Sequence, residues 1–506
     1  MKKFICILLA AALPAMIFAG CSGKDIEHPT PGVDVSVPVE PSTNEDGSIV
    51  ADARLVYEKN DSLNPYEAVS SVNIRLLSLV YDGLFTLDSA YNLNGAVAKG
   101  CAGGTGTVNV MLDTSAKFSD GTPVTPQDIV YSYELAKESD TYGERLKHFT
   151  SVSTPNSTNM IFTLDEPDIY AQNCLTFPII KEGSDEARPT GTGRYVFKED
   201  AGRLLLEVNP NRSGFSPSIA CFELTEIKDS SVTNSSLEIG STCFSFDELA
   251  DGSYTRVNAK TQNVLMNNLV YLGVNGSNEY LADPLIRRAV SSALDRNEIV
   301  TSAFQGHAKA AVSPFNPDWY VIAGTDGSPT VENSDVRSLL DESGNDPGRL
   351  PFSLVVNGEN GFKLDAAKQI KTMLGRAGLA VTIYALPKED YYTAVRNGDF
   401  DMYIGEIKLT DNMNLYPLFR GGRCSYGVTS AMQEQSFARY VQMLSGECEL
   451  MDFINVFSSE LPFIPLCYRS GLALYTNSID FGDSSCCICD VFGNVDRWTI
   501  IKDEKI

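Results

Sequence analysis

Between residues 352 and 405 the hydrophobic period of the chain switches back and forth in a way that few folds can satisfy. An apolar, β-branched run at 352–356 precedes a helical pattern over 365–377 that Gly378 closes. A second apolar run at 379–384 precedes a helix over 388–397 closed by Gly398, and a third run occupies 400–405. Strands of period 2 separated by helices of period 3.6 predict β-α-β-α-β. Alternation of this kind calls for a parallel sheet with right-handed crossovers, and hence an α/β fold. Ligands of such sheets bind beyond the carboxyl ends of the strands, so residues 357–361 and 406–411 become candidate site segments on geometry alone.

The remainder of the body also reads as mixed α/β. Residues 54–58 predict a short strand ended by the turn Ser62-Leu63-Asn64-Pro65. An amphipathic helix then runs to about Tyr81, with Val72, Leu76, Leu79 and Val80 on one face and Gly83 as its stop. Val108, Val110 and Leu112 alternate along one predicted strand, and Met160, Phe162 and Leu164 along another, the pattern of half-buried antiparallel strands. Between them Ser119-Asp120-Gly121 predicts a turn, and Thr125 and Pro126 fit the cap and first position of a helix through about Lys137. Asp283 and Pro284 open another helix in the same way, with Leu285, Ile286, Ala289, Val290, Ala293 and Leu294 as its buried stripe. Asp295 and Glu298 fit the cap of a following helix stopped by Gly306.

The first twenty residues have the layout of a secretory leader. Lys2 and Lys3 form a positive region, and an uncharged apolar run extends from Phe4 to Phe18. Pro14 interrupts the run, which is shorter than the ~20 residues a spanning helix needs. Phe18-Ala19-Gly20-Cys21 resembles a lipobox, which implies cleavage after residue 20 and a lipid, palmitate included, on Cys21. The other reading is a plain signal peptide with an incidental cysteine. Residues 21–51, rich in Pro, Ser, Thr, Asp and Glu, predict a flexible tether holding the body at the extracytoplasmic face of a membrane.

At 506 residues the chain exceeds what one core holds and predicts two or more domains. Its net charge is −25, and removal of Lys2 and Lys3 with the leader makes it −27. That acidity argues against a nucleic-acid partner, because phosphate binding needs clustered Lys and Arg. Twelve cysteines are present; with Cys6 lost to the leader and Cys21 lipidated, ten remain in the body. Export permits disulfides, but spacing does not give their pairing. The run Cys486-Cys487-Ile488-Cys489 leaves two readings, a metal site or a local structural role. The second is favoured, since no other Cys or His cluster stands nearby and the histidines are only His28, His148 and His307.

Several stretches together resemble one family. Lys117-Phe118-Ser119-Asp120-Gly121-Thr122-Pro123-Val124-Thr125, with Asp128-Ile129-Val130, is similar to the signature of the peptide/nickel-type solute-binding proteins of ABC importers. This is solute-binding protein family 5, which includes the oligopeptide-binding proteins. Leu63-Asn64-Pro65, the helix end at 80–85, Gly191-Thr192-Gly193-Arg194-Tyr195, Asp283 to Ala289 with Leu294-Asp295-Arg296, and the run from Gly378 to Phe400-Asp401 follow in the family's order. The resemblance covers the chain from about residue 52 to the end. It implies a two-lobed periplasmic-binding-protein-like fold (type II, cluster C-like) closing about a hinge over an inter-lobe ligand cleft. One lobe is expected at 52–270 plus 470–506, with an inserted subdomain at about 88–185, and the other at 271–469. The crossing strands are expected near 269–274 and 465–468.

In oligopeptide-binding relatives an aspartate shortly after the last strand of this run pairs with the peptide amino terminus, near a tryptophan. Here the strand leads into Gly405-Glu406-Ile407-Lys408-Leu409-Thr410-Asp411-Asn412, with no tryptophan. Asp411 or Glu406 suits an ammonium and Lys408 a carboxylate, against the alternative that all three are solvated at a loop end. Glu67, Ser70 and Ser71 follow the Asn64-Pro65 turn near the expected cleft, though helix capping explains them equally. Arg423 and Tyr426, in the Gly-rich patch that starts at Arg420, are candidates for a ligand carboxylate. Trp319 and Tyr320 read as packing. The chain lacks a His-Glu-x-x-His metal motif, a Gly-x-Ser-x-Gly elbow and a phosphate-binding Gly-rich loop, so no enzyme, no catalytic residue and no cofactor are expected. The expected partners are an oligopeptide, permease subunits and, through the lipid, the membrane, with the protein itself a monomer. The alternatives are a peptide-sensing receptor, or import of a metal chelate or an oligosaccharide.

Overall fold

The three strands predicted between 352 and 405 are parallel, and a longer sheet incorporates them. In the computed structural model, which describes residues 40–323, 336–345, 351–482 and 486–501, Pro351–Asn357 pairs in parallel with both Ala380–Leu386 and Met402–Lys408. The leader, Cys21 and most of the tether lie outside the described residues. Helices Gly361–Arg376 and Lys388–Asn397 provide the crossovers. The first starts four residues earlier than its apolar pattern suggests, because Asn360 caps it by accepting from the Lys363 N–H.

The last parallel strand also extends further than predicted, to Lys408. On its free edge it pairs antiparallel with the 15-residue strand Lys260–Val274, in register from Val274↔Met402 to Asn268↔Lys408. The residues expected in a loop after it, Glu406 and Lys408, are therefore strand residues two apart, which places them on one face.

Lys260–Val274 pairs in turn with Phe463–Tyr475, which is buried at every position. This antiparallel pair runs through the molecule, and Phe244–Asp247 adds to its far end. Its register breaks between Leu265 and Leu269, where the two flanking positions face Ser470 and Tyr468, and again at Val270/Tyr271. Extra residues on one strand bend and twist the pair locally.

Two further four-stranded sheets are present, beside two short two-stranded ones. One is Ala53–Glu58, Cys221–Ile227, Arg203–Val208 and Tyr195–Asp200; the other, wholly antiparallel, is Ala98–Gly103, Thr107–Leu112, Asn159–Leu164 and Phe149–Ser153. The alternation read from the sequence holds in the latter: Val108, Val110, Met160 and Phe162 are buried on one face against Ile129 and Tyr133 of helix Pro126–Glu138. That helix begins with the predicted Thr125 cap, and Asp128 answers it in a reciprocal capping box.

Burial separates into three hydrophobic cores. The first surrounds the parallel sheet, with Leu354, Ile370, Ile404, Trp319 and Phe453. The second gathers Leu76, Val80, Tyr195, Phe222, Phe244 and Trp498, and the third lies under the antiparallel sheet of the inserted region.

The sequence motifs prove to be fasteners between these layers. Gly193 lies against the turn that follows helix Ser71–Leu77; a Cβ there would sit 2.3 Å from the Val80 carbonyl carbon, so only glycine fits. Arg194 beside it donates to the Ser78 and Phe492 carbonyls and to Asp490. Arg287, 1% exposed, donates to the carbonyls of Leu281, Ala282 and Glu460, which ties the predicted helix Pro284–Ser292 to the end of helix Leu450–Glu460. All ten body cysteines are free thiols, and among the described residues no group of three or more His, Cys, Asp or Glu converges as metal ligands. No helix of the described residues is long and apolar enough to cross a membrane.

Candidate ligand cavity

The three cores meet around a cavity of about 190 Å³. Leu77 and Tyr81 reach it from the second core, Phe85 from the third, and Leu87 and Tyr91 from the first. Helix Ser71–Leu77 supplies one wall. Ser70 caps it by accepting from the Asn73 N–H, and its last turn presents Arg75. The short helix Gly143–Leu146 presents Arg145, and the turn at 487–490 brings Cys489 and Asp490. The opposite side comes from Asn267, at the break in the crossing pair, with Lys408 and Asp411 at the end of the adjoining strand.

Most charges on this surface are already balanced. Asp411 accepts from Arg145 at 2.9 Å and raises the pKa of that guanidinium, and Arg145 also donates to the Thr176 hydroxyl. Arg75 pairs with Glu248 and lies 4.4 Å over the Phe246 ring; burial pulls its pKa down. Asp82 pairs with Arg212, and Asp490 with Arg194 at 2.7 Å. Burial raises the Asp82 pKa, and Arg212 and Arg194 oppose that rise.

Lys408 differs. Among the described residues its ammonium makes no hydrogen bond and no ion pair. Its side chain lines the cavity and is still exposed, and the surrounding protein lowers its pKa by desolvation. Glu248 and Asp411 act in the opposite direction, while Arg145 and Arg75 add to the lowering.

The candidates read from sequence separate clearly. Lys408 and Asp411 line the cavity, whereas Glu406, Glu67, Ser70, Ser71, Arg423 and Tyr426 do not. Glu406 is held between Lys363 and Arg469, each at 2.8 Å, and accepts from Asn268. Burial alone would raise its pKa, but the two cations prevail and hold it at about 2. Its charge is thereby committed to joining strand to strand and to helix Gly361–Arg376. Glu67 accepts from the Ser62 hydroxyl, Ser70 is the helix cap, and Ser71 lies at a separate shallow site. Arg423 pairs with Glu144 at 3.1 Å on the surface, and Tyr426 packs on the first core. Arg75, Asp82, Tyr91, Arg145 and Asp490 were missed because each is placed by long-range packing; only Arg75 carried a local signal, lying on the helix next to the Asn64-Pro65 motif.

This arrangement of a broad parallel-containing sheet, two crossing strands and a cavity beside them defines a class, the two-lobed periplasmic-binding-protein-like fold. It superimposes on the unliganded open form of MppA, described as a periplasmic murein tripeptide binding protein, with a TM-score of 0.72 over 90% of this chain and 99% of that one, at 16% identity. It also superimposes on NikA from Brucella suis in complex with Fe(III)-EDTA, with a TM-score of 0.64 over 89% of this chain and 100% of that one, at 15% identity. In sequence it is 24% identical over 360 residues to the oligopeptide-binding protein AppA of Bacillus subtilis, a match spanning 63% of this chain and 66% of AppA, just under two thirds of that relative. The model of the middle region of the bacterial extracellular solute-binding proteins, family 5, matches residues 104–425. The chain belongs to that family.

Proposed function

We propose that this chain is the lipid-anchored, extracytoplasmic binding component of an ABC importer, and that it captures an oligopeptide in the cavity between its lobes and delivers it to the permease subunits. The observation that carries the reading is the juxtaposition of Lys408 and Asp411, three residues apart, on the wall of a cavity where crossing strands lose register. A zwitterionic chain needs groups of both signs, and a low-dielectric cavity strengthens both contacts. Tyr81, Phe85, Leu87 and Tyr91 offer apolar surface between them. The name of AppA, an oligopeptide-binding protein, supports the same class of ligand.

The lobes are taken as 52–270 with 470–506, and 271–469, with the bulged segment near Leu265 to Leu269 as the hinge. Closing there would bury the ligand and give the permease a form distinct from the open one. The lipid on Cys21 and the tether to residue 51 would hold the protein, as a monomer, at the outer face of the membrane. A thermal-shift screen against pooled peptides, sugars and metal chelates tests the ligand class, because a ligand of the folded form raises the melting temperature with its concentration. Peptide pools are expected to raise it; a shift with chelates or sugars alone replaces the substrate, and no shift with any pool refutes capture of these solutes.

A further inference from the structure

We infer that the ligand of this cavity presents a carboxylate to Lys408, and that this contact, rather than an ammonium at Asp411, is the principal ionic anchor. The inference rests on the oligopeptide reading above and specifies which end of the ligand matters. Each other ionised group on the cavity wall has its counter-charge: Arg75 has Glu248, Arg145 has Asp411, Asp82 has Arg212 and Asp490 has Arg194. Among the described residues, Lys408 alone lines the cavity without one.

Nearby polar groups cannot take that place. The Asn267 amide donates to the Leu409 and Thr410 carbonyls, and its own oxygen accepts from Asn316. A partly desolvated cation lining a cavity without a counter-charge gains when an anion arrives from outside. An ammonium approaching Asp411 would instead have to share or displace Arg145, so it gains less. The lowered Lys408 pKa fits this account: it reports a site whose ammonium, flanked by Glu248, Asp411, Arg145 and Arg75, is under-compensated until an anion binds. On a chain with a net charge of −25, such a site also opposes the general repulsion of anionic solutes.

The carboxylate could be the peptide carboxyl terminus or an acidic side chain, and calorimetry separates them. The full chain is titrated with defined tri- to pentapeptides carrying a free carboxyl terminus, with the same peptides amidated, and with Asp and Glu replaced by Asn and Gln. Loss of the anion is expected to weaken binding on the order of tenfold to a hundredfold, as for a hydrogen bond to a charged group. If the terminus supplies it, amidation alone weakens binding; if a side chain does, only the Asn and Gln peptides are weak. Lys408→Met should lose the same factor and no longer distinguish acid from amide, and Lys408→Arg should recover most of it. Binding by the wild type should also take up protons as pH rises toward 10, read from buffers of different ionisation enthalpy, and Lys408→Met should not. Equal affinity for peptides with and without carboxylates, or for wild type and Lys408→Met, overturns the inference and leaves peptide capture standing. If no peptide binds the wild type, the oligopeptide reading itself fails and the inference falls with it.

Discussion

Replacing Glu406 by Gln should destabilise the protein by about 3 kcal/mol at pH 7 while leaving the cavity lining unchanged. The magnitude follows from the carboxyl group itself. Its pKa falls from the ordinary 4.5 to about 2 in the folded protein. At ~1.36 kcal/mol for each pKa unit, ionisation of Glu406 contributes roughly 3 kcal/mol of folded-state stability. The sign is that of a depressed acid: the contribution is complete above the unfolded value and is lost as pH falls from about 4.5 through about 2. Gln keeps the shape and the oxygen that accepts from Asn268, but it leaves Lys363 and Arg469 without their counter-charge, and breaking a buried pair from one side costs about 3–5 kcal/mol. Urea unfolding followed by the fluorescence of the buried Trp319 and Trp498 reports it, with wild type and variant compared from pH 7 down to pH 2.5. The difference should shrink steadily on acidification. A loss below about 1 kcal/mol at pH 7, or a difference that does not change with pH, would refute the reasoning and return Glu406 to the set of free ligand-binding carboxylates.

Three other outcomes are expected. Gly193→Ala puts a methyl group into the Val80 backbone and should cost at least 1–3 kcal/mol, seen as a lower urea midpoint. Asp168, pushed by burial up to about 6 and accepting from Asn412, costs the fold stability as pH rises from about 4 to 6. Asp168→Asn lacks that titration, so its stability relative to wild type should improve by about 1–2 kcal/mol between pH 4 and pH 7, the full shift being reduced by the solvent that reaches this half-buried group. Cys21→Ala should abolish incorporation of labelled palmitate and release the protein from membranes; retention of the label would show that Cys21 is not the lipidated residue.

The local elements were legible where the chain announces them chemically. Thr125-Pro126 and Asp283-Pro284 start helices as their capping chemistry requires, and the alternation of Val108 and Val110 faces the core. The boundaries that shifted did so for tertiary reasons. Helix Ser71–Leu77 stops before Tyr81 because the Leu79 and Val80 carbonyls are taken by Tyr195 and Gly193. Met402–Lys408 runs on because Lys260–Val274 offers it a partner edge. The site was legible only in part, for a related reason. Lys408 and Asp411 stand where a parallel strand ends, a position that sequence period reveals. Arg75, Arg145, Asp82 and Asp490 reach the cavity from segments far apart along the chain, and no spacing rule joins them. Glu406 looks like its neighbours in sequence, and only the fold shows that Lys363 and Arg469 pair with it away from the cavity wall.

Native mass spectrometry of the full chain purified from growing cells tests the central claim most directly. A population heavier than the bare protein is expected, whose extra mass is released on denaturation and sequences as peptides, and which is lost in the Lys408→Met, Asp411→Asn double variant. Bare protein alone, unchanged after incubation with peptide pools, would contradict it.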